Sequence, residues 1–575
     1  MPNGGEGFIL DYLNNFETWK NDTFFDTETR AELSVLTIAD DSKEIEDRFY
    51  QDLTFGTGGL RGVMGAGTNR MNRYTVGRAT LGLGRYLLAT FGQEATEKQG
   101  VVIAYDTRHH SQEFAAVTAD ILSGMGIRVR LLSEPRPTPE LSFAVGHYQA
   151  LAGVVITASH NPKEYNGYKV YDEYGDQLVP AKAEKVMAAI ATIKDYHEVD
   201  FTSRKDLVEK VDPTEAFVKA VLRQQRPVSA AAKADLHIIY TPLHGTGKVP
   251  VLKTLELDGF THIDTVAGQM ISDGEFPTVV SPNPEDRRAL MLGIEQAEQC
   301  GADLVIGTDP DSDRVGAAVH VGNEYQLITG NQMGALLMDF VLSHTDMTQV
   351  KNPAIVNTIV TSELGAAIGR KYGCKVFSTL TGFKYIGEKI TQFTQAKEEN
   401  ITERDFDFLF GYEESYGYLA GTHARDKDAV VASLLICEMA AELKAQGKTL
   451  LDKLQDIYHE FGYYLDALDS FTLPGKNGQE QISSIMGNLR SNAPFNDLQQ
   501  IVDYSQEIAA EPGFGNLPKA NVLKYLWQDG SWLAVRPSGT EPKIKIYYSV
   551  RGKNAEAAAE RLEKMRQIIK TSMGV

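Results

Sequence analysis

Short apolar runs, each closed by a polar or glycine-containing turn and followed by a stretch of helical periodicity, recur along the chain. Val101–Tyr105, Val154–Thr157, Leu236–Tyr240, Leu304–Gly307, Ala354–Ile359 and Phe406–Phe410 are the clearest, and Ser111–Met125 is the helix expected after the first. Runs this short that alternate with helices predict α/β units around partly parallel sheets. In such sheets ligands bind beyond the carboxyl ends of strands, so function is sought in the loops that follow the runs.

A chain of 575 residues exceeds one core, and one domain per ~150 residues predicts about four. The charged segment Asp195–Pro213 reads as a linker, Gly322–Gly330 as a boundary before a helix near Asn331, and Leu473–Gln481 as a second linker. The expected domains are therefore 1–205, 206–322, 323–465 and 466–575. The first ~40 residues look like a helical extension with apolar positions at Phe8, Tyr12 and Phe16. A formal charge of −20 argues against broad nucleic-acid or anionic-membrane binding, while a small anionic ligand stays compatible with locally clustered Arg and Lys. No basic-then-apolar leader opens the sequence and no run approaches the ~18 apolar residues of a span, so a cytoplasmic protein is expected. Cys300, Cys374 and Cys437 form no CxxC and are read as buried thiols, with neither a zinc site nor a disulfide.

Four loops carry residues suited to chemistry. In Ala152–Tyr171 a β-rich run delivers Thr157-Ala158-Ser159-His160-Asn161-Pro162, where Pro162 ends the strand and small Ala158 leaves room beside the Ser159 hydroxyl. The nucleophile-elbow pattern GxSxG is absent, which argues against an α/β-hydrolase. In Asp303–Gly316 three carboxylates, Asp309, Asp311 and Asp313, stand at spacing two and can aim oxygens at one hard cation. An EF-hand is excluded because Arg314 stands at the sixth position and His320 at the twelfth. Few carboxylates sharing a shell with phosphate suit magnesium. In Gly411–Gly417 the adjacent Glu413 and Glu414 can accept hydrogen bonds from sugar hydroxyls. In Ala534–Tyr548 the residues Arg536, Ser538, Gly539, Thr540 and Lys543 are compatible with one phosphate pocket. Two weaker signals are the glycine-rich Phe55–Gly62, which contains Arg61, and Thr379–Lys384 (TLTGFK), which ends on Lys384. Taken singly, each loop also fits a plain turn, a solvated acidic loop or a helix start.

Together and in this order, TASHNP, DPDSDR, GYEESYG and RPSGTEP resemble the motifs of the α-D-phosphohexomutase superfamily, especially its phosphoglucomutase-type members, from about Tyr50 to Arg551. The resemblance implies an α/β protein of four domains around a central cleft, three related mixed α/β domains and a smaller C-terminal α+β domain. It implies that Ser159 carries a phosphoryl group and that Mg2+ is held by Asp309, Asp311, Asp313 and an oxygen of that phosphate. His160 and Lys384 match a basic pair near the reacting hydroxyl, and Lys169, after the Asn-Gly pair, is a further acid/base candidate. Arg61 and Arg108 match arginines around the phosphoserine. Thr381 and Gly382 are expected beside the substrate, Glu413 and Ser415 at sugar hydroxyls, and Arg536 to Lys543 at the second phosphate. An EES-type loop resembles glucose-directed members, whereas EMS and EQS variants belong with mannose and glucosamine. The implied reaction interconverts α-glucose 1-phosphate and glucose 6-phosphate, with glucose 1,6-bisphosphate as intermediate and activator. A phosphopentomutase, phosphomannomutase or glucose 1,6-bisphosphate synthase is the alternative within the family. A metal-dependent phosphatase and a phosphosugar-binding protein are the alternatives outside it.

Overall fold

The computed structural model describes residues 6–574 apart from 57, 400, 474–477, 510–513 and 539–542, with side chains from residue 12 onward. The chain forms two compact units: residues 1–225, 237–317 and 422–434, and residues 226–236, 318–421 and 435–575.

The first unit opens with helices Glu6–Asn21, Thr27–Ser34 and Ser42–Phe49. They enclose an aromatic cluster of Phe16, Trp19, Phe25 and Phe49 that also takes in Tyr74, with Trp19 stacked on Phe25 at 4.3 Å. The helical extension is thus anchored by large, well-oriented ring contacts. Next comes a six-stranded sheet of β1 (Gly59–Val63), β2 (Val101–Tyr105), β3 (Val129–Leu132), β4 (Ala152–Ile156), β5 (Tyr165–Tyr171) and β6 (Val208–Val211), in the order β1-β5-β4-β2-β3-β6. β4, β2, β3 and β6 are parallel, and β5 and β1 close one side antiparallel. β2 and β4 are buried at every position, as strands covered by helices on both faces must be. The helix after β2 is Ser111–Gly124.

β6 corrects the linker reading of Asp195–Pro213. Val208-Glu209-Lys210-Val211 pairs with β3 as the sheet's edge, so Glu209 and Lys210 are exposed and its charge conceals a strand. The first unit continues with β7 (Ile238–Thr241), β8 (Ile263–Thr265) and β9 (Leu304–Thr308), all parallel with β7 between the other two. The chain then leaves the unit along β10 (Val315–Val321).

In the second unit, β11 (Glu324–Ile328) precedes helix Gly330–Ser343. A four-stranded sheet follows, built of β12 (Pro353–Thr358), β13 (Lys375–Thr379), β14 (Asp407–Glu413) and β15 (Gly417–Ala420), in the order β13-β12-β14-β15. The last sheet is wholly antiparallel, β16 (Tyr463–Thr472), β20 (Lys543–Gly552), β19 (Trp532–Pro537), β18 (Leu523–Leu526) and β17 (Gln500–Asp503). Helices Gly478–Ser491 and Ala555–Met573 pack on this sheet through Ile482, Met486, Leu562 and Ile569. Among the described residues no helix is long and apolar enough to cross a membrane. Cys374 and Cys437 are buried as expected. Cys300 is not: it ends helix Arg287–Cys300 on the surface.

Candidate active site

Ser159 follows the carboxyl end of β4 in the left-handed region, at φ 54°. A non-glycine residue costs about 1 kcal/mol or more there and persists only when its surroundings fix it. Two neighbours do so. The Ser159 N–H donates to Thr157 Oγ1 at 2.8 Å. Arg108, in the loop after β2, donates to the carbonyls of Ser159 (2.5 Å), Asn161 (2.5 Å), Pro162 (2.9 Å) and Tyr165 (3.1 Å). Arg108 is itself aligned by Asp106, which accepts from the Arg108 N–H at 2.9 Å. The structure therefore spends the Arg108 guanidinium on the loop backbone, which gives it a positioning part. Arg61, on β1, reaches the same loop through Asn161 Oδ1 at 3.3 Å.

The Ser159 hydroxyl donates to Asp309 Oδ2 at 2.7 Å and lies 3.2 Å from His160 Nδ1. Asp309, Asp311 and Asp313 occupy the turn after β9, are 0%, 0% and 2% exposed, and bring one oxygen each within 4.8 Å of the others. The turn is shaped by Ser312 at φ 52° and by the N–H groups of Asp313 and Arg314, which donate to Asp309 Oδ1 at 3.1 and 3.0 Å. Lys169, on β5, contacts Asp311 at 2.9 Å and Asp313 at 3.7 Å. Burial and the two neighbouring carboxylates push Asp309 well up, whereas for Asp311 the effect of burial is overcome by Lys169, which holds it well below the usual range. Oδ1 of Asp311 and Oδ1 of Asp313 are buried and accept no hydrogen bond. Leaving charged acceptors so is costly, and three converging carboxylates, two of them with an oxygen that accepts no hydrogen bond, fit a hard divalent cation. The His160 imidazole is pushed down to about 2 by burial and by Arg314 and Arg61, so it is neutral at physiological pH. Arg314, the residue that excludes an EF-hand, pairs with Glu285 at 2.7 Å.

The second unit gathers the other group. Gly382, at φ 122°, precedes helix Phe383–Glu398, and its N–H donates to Glu413 Oε1 at 2.8 Å. Glu413, at the end of β14, is 5% exposed. Ser415 lies in the turn to β15, where Tyr416 takes φ 61°. Thr381 Oγ1 is buried and makes no hydrogen bond. Burial and the Arg536 guanidinium push Lys384 down to about 8, against the pull of Glu388. Arg536, on β19, also faces the Tyr547 hydroxyl, which burial and Glu414 push up to about 12. Lys384, Arg536, Glu413 and Glu414 are thus brought together within this unit. The Ser538 N–H donates to the Lys543 carbonyl at 2.7 Å, closing the base of the last loop. Gly539 and Thr540 lie outside the described residues.

Four family models match in order: phosphoglucomutase/phosphomannomutase α/β/α domain I at residues 52–197, domain II at 215–322, domain III at 329–461 and the C-terminal domain at 491–567. The chain belongs to the α-D-phosphohexomutase superfamily. A phosphoglucomutase of Staphylococcus aureus (strain MSSA476) is 38% identical over 539 residues, 91% of this chain and 94% of the relative. Parafusin (phosphoglucomutase) from Paramecium shares the fold at a TM-score of 0.70 and 15% identity, covering 92% of this chain and 96% of that one. A phosphoglucomutase/phosphomannomutase family protein from Burkholderia thailandensis does so at 0.67 and 17%, covering 90% and 97%. This phosphohexomutase is an intramolecular phosphotransferase, an isomerase of three α/β domains and a distinct C-terminal domain.

Sequence reasoning missed three groups at these sites. Thr138 of Arg136-Pro137-Thr138-Pro139 donates from its hydroxyl to Asp311 Oδ2 at 3.0 Å and from its N–H to the Asp311 carbonyl at 2.8 Å. Lys427 contacts Asp313 at 3.2 Å and Asp426 at 3.0 Å, and Asp426 accepts from Tyr171 at 2.6 Å. The available signal was Arg425-Asp426-Lys427-Asp428 ahead of a helix, Ala429–Ala445, whose first nine residues carry one polar side chain, Ser433. A helix apolar all round is buried, and so are the charges at its start. Tyr547 carried no signal beyond its place on a half-buried strand.

Proposed function

We propose that the enzyme interconverts α-D-glucose 1-phosphate and glucose 6-phosphate, with phosphorylated Ser159 as the carrier and glucose 1,6-bisphosphate as the intermediate. The observation that carries this reading is the Ser159 hydroxyl, held in a strained turn 2.7 Å from Asp309 and backed by two further buried carboxylates. Asp309, Asp311 and Asp313, with an oxygen of the Ser159 phosphate, would hold Mg2+, which supplies positive charge where negative charge develops on a transferring phosphoryl group.

In the forward direction the 6-hydroxyl of glucose 1-phosphate attacks phosphorus, a new O–P bond forms and the Oγ–P bond breaks. The hydroxyl proton passes to a base, and Ser159 Oγ takes the bonding electrons and a proton. We assign the base to Lys384, since an amine near 8 is poised for proton transfer around neutrality, whereas an imidazole near 2 is a poor acceptor. Lys169 and Lys427 hold the carboxylates in place, and Arg61 and Arg108 hold the serine loop. Glu413 and Ser415 take the sugar hydroxyls, and Arg536 with Ser538 to Lys543 takes the non-reacting phosphate. The bisphosphate turns end for end and returns its other phosphoryl group by the same step reversed.

Ser159→Ala should abolish both turnover and transfer of label from 32P-glucose 1,6-bisphosphate to protein. Retention of full mutase activity would overturn the assignment. Parallel rates with glucose, mannose, glucosamine and ribose 1-phosphates should favour glucose, and a faster pentose rate would move the assignment to a phosphopentomutase.

A further inference from the structure

At the opposite end of the β7–β9 sheet from the carboxylate turn, three metal-type donors converge from separate stretches of chain, with a thiol beside the first of them. His237 immediately precedes β7, His262 precedes β8, Asp264 is on β8, and Cys300 ends helix Arg287–Cys300. The His237 and His262 rings lie parallel, 9° apart with centroids at 3.6 Å. His237, His262 and Asp264 each offer a ligand atom within 4.8 Å of the others. His237 Nε2 is 2.8 Å from Asp264 Oδ2 and 4.0 Å from Cys300 Sγ. Two backbone features fix this geometry. β7 pairs in parallel with β8 so that Ile238 faces Ile263, which places His237 beside His262 at the strand mouths. The His237 carbonyl accepts from the N–H of Asp303 at 2.9 Å, which ties it to the segment just after Cys300.

We propose that His237, His262, Asp264 and Cys300 form a binding site for a borderline divalent cation of the zinc class, separate from the magnesium site. Tetrahedral zinc binds imidazole nitrogen and carboxylate oxygen at about 2.0–2.2 Å and thiolate sulfur at about 2.3 Å. Those bonds place ligand atoms about 3.3–3.8 Å apart, so closing on an ion turns the stacked His237 and His262 rings out of their parallel planes and swings Cys300 from beside His237 towards the other two ligands, with His262, Asp264 and Cys300 all at exposed positions. Cys300 binds as thiolate and its proton passes to solvent. The soft and borderline donors disfavour magnesium, which takes oxygen ligands. The five-residue strand β9 separates the site from Asp309 by about 17 Å at ~3.3 Å per residue, so neither cation shares ligands with the other. The cation also gains from the carbonyl-rich C-terminus of the Cys300 helix. Without a metal, the cluster reduces to a His237–Asp264 hydrogen bond with a second imidazole stacked on it.

Cys300 is exposed while Cys374 and Cys437 are buried, so the rate of reaction with a disulfide reagent reads Cys300 selectively. With excess Mg2+ filling the carboxylate turn, one equivalent of Zn2+ should slow that reaction by about tenfold or more. One equivalent of Co2+ should give intense visible bands with a near-ultraviolet thiolate band. His262→Asn and Asp264→Asn, both at exposed positions, should each weaken zinc protection by on the order of 10–100-fold in metal concentration. Cys300→Ser should lose the thiolate band alone. An unchanged Cys300 rate with Zn2+, or cobalt spectra lacking a thiolate band in the Mg2+-loaded wild type, would overturn the proposal.

Discussion

The pairing of Lys384 with Arg536 makes a quantitative claim about the pH dependence of turnover. With the Lys384 amine at about 8, about a tenth of free enzyme has it neutral at pH 7 and about nine-tenths at pH 9. If neutral Lys384 is the base, kcat/KM for glucose 1-phosphate should climb about tenfold between those values and then level. The second ionisation of the substrate phosphate lies near 6 and leaves this limb undisturbed. Arg536 is the charge that the structure identifies as depressing Lys384, after burial. Arg536→Gln should therefore move the limb to higher pH, so that the loss in kcat/KM is greatest at pH 7 and partly recovers at pH 9. Arg536→Lys keeps the charge but loses the two-pronged grip on phosphate. It should raise KM while leaving the limb in place. Lys384→Met should flatten the limb altogether. The assay is initial rate with coupled detection of glucose 6-phosphate across pH 6.5–9.5, a window chosen to bracket that ionisation. A limb that stays put in Arg536→Gln, or survives in Lys384→Met, would refute the assignment of the base.

Three further outcomes follow from buried groups. Lys427→Met leaves Asp313 and Asp426 without the cation between them, a buried-charge defect of about 3–5 kcal/mol; thermal unfolding should show it, partly offset by Mg2+, and an unchanged Tm would refute the pairing. Burial raises Glu140 from 4.5 to about 8, so between these values the folded chain keeps a proton that the unfolded chain releases, and stability falls as pH rises. Glu140→Gln, which still accepts from the Thr214 hydroxyl, should gain about 1–3 kcal/mol at pH 8 and almost nothing at pH 4.5 in denaturant titrations; an equal effect at both would contradict the shift. A Cβ on Gly330 would stand 2.0 Å from the Glu414 carbonyl oxygen, so Gly330→Ala should displace the Glu413–Ser415 turn and raise KM for the sugar phosphate, while label transfer to Ser159 from 32P-glucose 1,6-bisphosphate at saturation persists; an unchanged KM would refute it.

The serine and carboxylate turns were legible because each is contiguous: six residues around Ser159 and five from Asp309 to Asp313 carry their chemistry in local order. What completes them was not, because it arrives from loops distant in sequence. Lys427 and Thr138 reach Asp313 and Asp311 only once the first unit has folded. Arg108 shows a second limit, since a motif gives the guanidinium but not its acceptors, and here four loop carbonyls take it. Cys300 shows a third. Metal-ligand spacing along the chain was absent, yet parallel pairing of β7 with β8 sets two histidines side by side, a juxtaposition no linear pattern contains.

The alternation of apolar runs with helices was nonetheless the most informative feature, because it fixes direction. A parallel sheet sends every crossover loop of one kind to one end, so residues that follow different strands share a neighbourhood without sharing a motif. Arg108 after β2 and Ser159 after β4 meet for this reason, as do Gly382 after β13 and Glu413 at the end of β14. The opposite ends of the same strands were left unread by that rule, and there the His237–Cys300 cluster lies. The direction of the strands thus sets the Asp309–Asp313 carboxylates at the carboxyl ends of the β7–β9 sheet and His237, His262 and Asp264 at its amino ends. On the proposed assignment, one sheet would hold two cations of different hardness without either site competing for the other's ligands.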